Sequence, residues 1–203
     1  MRRLARILAI ALHPVLMPCF LVGLLLYADP HIGFFLPMEA RWLMLMMLVV
    51  MTVLFPLISV LLMRKARLIT DLELPRREER IAPYLFTLLY QGMALYLLYR
   101  TPIHPIVYAL FIGILIAVLA SLLITLRWKI SAHLVGIGGL IGGLFADQLL
   151  LGANLFLPLV CAILGAGMLG TARLLTSDHS HAQILVGGGL GAACTFGSAL
   201  LLD

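Results

Sequence analysis

The sequence predicts an all-α fold: a polytopic membrane helix bundle of six to seven transmembrane helices, forming one domain over residues 1–203. Composition comes first. Of 203 residues, 63% are hydrophobic and 11% charged, against roughly 45–50% apolar and about 25% charged in an ordinary soluble domain. Mean hydropathy is high, at +1.13. Finally, the apolar residues fall into segments near the ~20 residues that cross a bilayer's hydrocarbon core. These features exclude a soluble enzyme, a disordered chain and a disulfide-rich secreted domain. Cys19, Cys161 and Cys194 all stand inside apolar segments without CxxC spacing, so they read as small packing hydrophobes.

The first span runs over 7–27, behind Arg2, Arg3 and Arg6. It is longer than the h-region of a signal peptide, and no small-x-small cleavage site follows before Asp29, so it reads as a retained helix. His13-Pro14 within it reads as a histidine bonded to a neighbour. The second span, 42–63, carries a Met-rich packing stretch and Pro56. Pro14, Pro18 and Pro56 are expected to kink their spans. The third and fourth spans cover 82–99 and 104–126. The fifth, 132–151, and the seventh, 181–202, are rich in glycine, including Gly138, Gly142, Gly188 and Gly191. Small residues let helices approach closely in lipid, so both are expected inside the bundle. The sixth span, 153–172, follows the fifth after so few residues that a re-entrant pair is the alternative.

Charge sets the orientation. If all seven segments cross, one side holds Arg2, Arg3, Arg6, Arg64, Lys65, Arg67, Arg76, Arg77, Arg80, Arg127, Lys129 and Arg173, and the other only Arg41 and Arg100. The positive-inside rule then places the N-terminus in the cytoplasm, here of a bacterial inner membrane. The net charge of +5 sits in short loops with no aromatic-interleaved basic tract. It therefore points to anionic lipid headgroups as partners, and not to nucleic acid.

Three polar clusters stand at helix starts, each two helices from the next and so on one membrane face. They are Asp71 to Pro83, Arg127 to His133, and Arg173 to Gln183. Helix N-termini favour anions. Arg and Lys bind phosphate oxygens, and histidine serves as nucleophile or proton donor near neutral pH. Two histidines from separate loops ringed by cations suit phosphoryl chemistry, in which charge must be spread over fixed cations. Against this stands the plainer reading of basic residues that only set topology.

The spacing resembles the type 2 phosphatidic acid phosphatase family over roughly residues 76–190. That family carries a Lys six residues before Arg-Pro, then Pro-Ser-Gly-His, then Ser-Arg with five residues before His and three more before Asp. In this chain Arg173 is followed by five residues, His179, three more and Gln183; Ile130-Ser131-Ala132-His133 matches the second motif; Arg80 matches the first, with Pro83 two residues late. The resemblance implies His179 as the phosphoryl-accepting nucleophile and His133 as proton donor to the leaving oxygen. It implies Arg80, Ser131 and Arg173 as holders of the phosphate oxygens. It also implies no metal, no cofactor, and lipid phosphates or diphosphates as substrates. Lys129 joins this ring on charge and proximity. The departures are Gln183 for the family Asp, Ala132 for Gly, and Glu73 where the leading Lys would stand, with Arg76 or Arg77 as stand-ins only on a different loop path.

The expected function is thus a membrane phosphatase or phosphotransferase acting through a histidine. The alternative is a catalytically silent relative kept as a lipid-headgroup binder, a homo-oligomer or a membrane-complex subunit. A small transporter is the third reading. It rests on Asp147 and Gln148, which lie deep in the fifth segment unless that helix ends early at the far interface.

Overall fold

The computed structural model describes residues 2–34, 36–71, 76, 78–176 and 179–202. Among them there is no strand. Seven helical segments are long and apolar enough to cross a membrane: Arg3–Ala28, Met38–Lys65, Glu78–Tyr99, Pro105–Thr125, Ala132–Leu151, Phe156–Leu175 and His181–Leu202. The fifth and sixth are each 20 residues long. At about 1.5 Å per residue either reaches across the hydrocarbon core, so neither needs to turn back.

Large apolar side chains lie on the outside. On α6 (Ile81–Tyr99), Leu85, Leu89, Met93 and Tyr96 form an exposed stripe, while Gln91, Ala94 and Leu98 are buried. This inverts the soluble pattern, as a helix facing lipid outward and protein inward requires.

The prolines act differently from one another. The first span is broken into α1 (Arg2–Ala11), a short 3-10 turn over Pro14–Leu16 and α2 (Met17–Ala28). Pro14 has no N–H, and its ring holds the preceding His13 extended, at φ −66° and ψ 137°. Pro18 sits in the first turn of α2, where a missing N–H costs nothing. A short α3 (Pro30–Gly33) leads to the second span, α4 (Met38–Val49), which widens into a π-helix over Val50–Leu54 just before Pro56 in α5 (Phe55–Lys65). The two irregular segments meet. Thr52 Oγ1 donates to the Val15 carbonyl at 3.3 Å and lies 3.3 Å from Cys19 Sγ.

The centre of the bundle is α8 (Ala132–Leu151), the most buried of the spans, followed by α7 (Pro105–Thr125). The expectation that both glycine-rich spans lie inside holds for α8. For α10 (His181–Leu202), which packs against both α8 and α7, it holds for one face of the helix only. Its glycines divide between faces. Gly191 lies backbone to backbone against Val135 and Gly139 of α8, whereas Gly188, Gly189 and Gly197 have open space where a side chain would be. Gly138 and Gly142 of α8 meet the backbones of Gly188 and Ala192. Thr195 Oγ1 donates to the Gly139 carbonyl at 3.0 Å, and Ser198 Oγ to the Ala109 carbonyl of α7 at 2.8 Å. The sixth span, α9 (Phe156–Leu175), packs on α8 and α1. Of the cysteines, Cys161 on α9 is exposed and not packed.

Candidate functional site

The three polar clusters converge at one end of the bundle. Arg80 closes a 3-10 turn (Glu78–Arg80) that leads into α6. Its guanidinium Nη1 donates to the Ile130 carbonyl at 3.4 Å, tying the first cluster to the second. The Ser131 N–H donates to the Gln183 carbonyl at 3.4 Å, tying the second to the third. Close approach makes this last contact possible: a side chain at Gly187 would meet the Ser131 carbonyl at 2.9 Å.

His179 precedes α10 and is only 8% exposed. Its Nδ1 lies 3.0 Å from Gln183 Oε1. That same oxygen accepts the Ser180 backbone N–H at 3.2 Å, and Ser180 Oγ accepts the Gln183 N–H at 3.3 Å. The pair is a capping box at the start of α10. The box identifies the proton. An atom accepting from a backbone N–H is the amide oxygen, so His179 Nδ1 must carry the hydrogen it donates. The lone pair is then on Nε2. Burial pushes the His179 pKa down from 6.5 to about 4. The charges of Arg173, Lys129 and Arg80 act in the same sense, and the Gln183 hydrogen bond opposes them. His179 is therefore neutral near pH 7, with a free Nε2 in a field of three cations.

The other expected residues divide. Arg173, in the last turn of α9, is close enough to act electrostatically on His179, His133 and His13. Ser131 is fully buried at the start of α8, and its Oγ has no hydrogen-bond partner among the described residues. Lys129 is half-buried beside it. His133 has its Nε2 bonded to the Ala9 carbonyl at 3.1 Å. His13 is exposed, and its ring stands edge-on to His133 with centroids 5.2 Å apart. Arg76 is exposed, and it is not among the cations that act on His179. Arg77 and Asp178 lie outside the described residues. Among the described residues no three His, Cys, Asp or Glu side chains converge as metal ligands do.

Membrane-inward of this end lies a cavity of about 110 Å³. One wall is the broken first span, at Pro14 and Pro18. Another is an α6 face, Tyr84, Thr87 and Gln91, which continues the line of Arg80 at helical spacing. Ala132, Val135 and Gly136 of α8 join it directly to the Ser131–His133 turn. Two of its lining groups, Ser121 and Gln91, are at most 2% exposed, and Ser121 Oγ and Gln91 Oε1 lack hydrogen-bond partners among the described residues. Sequence reasoning missed this face. The spacing Arg80, Tyr84, Thr87, Gln91 is its visible signal.

Asp147 stands apart, one turn before the far end of α8. The helix runs on to Leu151, so the residue is not at an early helix end. It is fully buried, and neither carboxylate oxygen has a hydrogen-bond partner among the described residues. Near that end Asp29 accepts from the His31 N–H at 2.8 Å.

No family model, curated protein or solved structure matches this chain.

Proposed function

We propose that the protein is an integral membrane phosphatase or phosphotransferase that transfers a phosphoryl group from a lipid phosphate or diphosphate to His179. One observation carries the reading: a neutral histidine, fixed with its lone pair on Nε2, is ringed by Arg80, Lys129 and Arg173. Neutral imidazole is the nucleophilic form, and cations around it spread the charge of the phosphoryl group in transfer. The cavity of about 110 Å³ beneath the ring supports a lipid substrate to the extent that the first few carbons of a tail would enter there as the headgroup meets the cations. In the first step Nε2 bonds to phosphorus, the P–O bond to the leaving group breaks, and the leaving oxygen takes a proton from water. Water then attacks the phosphohistidine, which releases inorganic phosphate and restores the lone pair. The distribution of basic residues supports placing this end of the bundle in the cytoplasm.

Gln183 favours a second reading, a silent headgroup binder. Its amide orients His179 without supplying the charge that a carboxylate would, and loss of that charge is costly in related triads. Phosphate release from a panel of lipid phosphates and diphosphates, by purified protein in detergent with EDTA, separates the two. Release that persists in EDTA and vanishes in His179→Ala is the expected result. No release from any member, with lipid still bound, would leave the binder.

A further inference from the structure

We infer that the break in the first span is a positioning device for His133: it frees the Ala9 carbonyl to hold that ring as the Nε2–H tautomer. Pro14 is the positioning residue. In an unbroken α-helix the Ala9 carbonyl would accept the N–H of His13, four residues on. Here the His13 N–H turns to Ile10 instead, at 3.3 Å, because His13 is extended ahead of Pro14. Leu12 still donates to Leu8 at 2.9 Å, so the freed acceptor is Ala9. His133 Nε2 lies 3.1 Å from that oxygen. A carbonyl can only accept, so Nε2 carries the hydrogen. The His13 ring closes the other side of His133, edge to face at 79°.

The neutral ring then keeps its lone pair on Nδ1. The two histidines of the site are thereby held in opposite tautomers, His179 with Nε2 free and His133 with Nδ1 free. At rest His133 offers the site a proton acceptor. It becomes a donor only after it has taken up a proton at Nδ1. A span outside all three polar clusters thus decides which nitrogen of the second histidine is available.

The catalytic consequence rests on the phosphatase reading; the tautomer does not, and the experiment keeps the two apart. Ring-¹⁵N spectra of histidine-labelled protein in lipid nanodiscs, with His133 assigned by loss of its signals in His133→Gln, report the tautomer directly. In the wild type the expected signal is protonated Nε2 and bare Nδ1. Pro14→Ala restores an N–H at position 14 and lets the helix run through. The Ala9 carbonyl then returns to its own helix, and His133 should relax from pure Nε2–H to the mixture of an unconstrained imidazole, in which Nε2–H stays the major form and an Nδ1–H form becomes visible. His13→Phe keeps the edge contact and should leave the tautomer unchanged. A wild-type His133 that is protonated on Nδ1, or split between both nitrogens, overturns the inference even if Pro14→Ala does not fold. A Pro14→Ala protein that folds and shows no Nδ1–H form at all also overturns it. Nε2–H in the wild type without phosphate release from any substrate would defeat the phosphatase reading and leave this one standing.

Discussion

Replacing Gln183 by Glu tests the electrostatics of the site at its centre. The change is isosteric, and Glu serves a capping box as well as Gln, so α10 keeps its start. It puts a carboxylate oxygen where Gln183 Oε1 now stands, 3.0 Å from His179 Nδ1. An opposite charge at that distance shifts a pKa by about 1–3 units in favour of the charged form. His179, now at about 4, should then titrate at roughly 5–7. The linkage to stability has a definite sign. The wild-type folded pKa lies below the unfolded value of 6.5. As pH falls from 6.5 towards 4, the unfolded chain therefore binds a proton that the folded one refuses, and stability is lost through that window. At 1.36 kcal/mol per unit the loss is about 3 kcal/mol. In Gln183→Glu the gap narrows, and the loss should shrink to about 2 kcal/mol or less. A ring-nitrogen titration of His179, paired with reversible unfolding at pH 7 and pH 4.5, reads both effects. A wild-type His179 that titrates near 6.5, or a Glu variant with an unmoved midpoint, would refute the claim that burial and three cations hold this ring neutral.

The helix contact and the buried hydroxyl make their own predictions. Gly191→Ala presses a methyl group onto the backbone of Val135 and Gly139, which has no flexible side chain to give way. It should cost about 1–3 kcal/mol in SDS-titrated unfolding, while Gly189→Ala, which meets open space, should be neutral. Ser131→Ala removes a buried oxygen that has no partner among the described residues. Stability should hold or rise, while vanadate binding to the purified protein should weaken about fivefold, the worth of one hydrogen bond.

The spans are legible in the sequence because each is a long apolar run, and hydropathy alone separates such runs from charged loops. The convergence of Arg80, Ser131 and His179 is legible through parity, since helices of equal count return their starts to one face. Other features need three dimensions. Pro14 announces a break, but the partner of the carbonyl it frees lies 124 residues away. Gln183 reads as a departure from an acidic pattern, although Ser180-His181-Ala182-Gln183 already spells a capping box that accounts for an amide there. Arg76 belongs to the first cluster in sequence, yet it is exposed and is not among the cations that act on His179. The glycines of α10 look like a uniform signal for burial, whereas their positions around the helix put some against α8 and leave others facing open space.

The glycine seam between α8 and α10 also sets a timetable for biosynthesis. α10 leaves the ribosome after α8, and spans settle against one another once they are in the bilayer. Until α10 arrives, the Ser131 N–H lacks the Gln183 carbonyl, and His179 lacks the amide that orients its ring. The contact between Arg80 and the Ile130 carbonyl, which joins the starts of α6 and α8, can already be in place. A nascent chain thus passes through insertion with two of its polar clusters joined, and the docking of one helix onto a strip of bare backbone brings in the third.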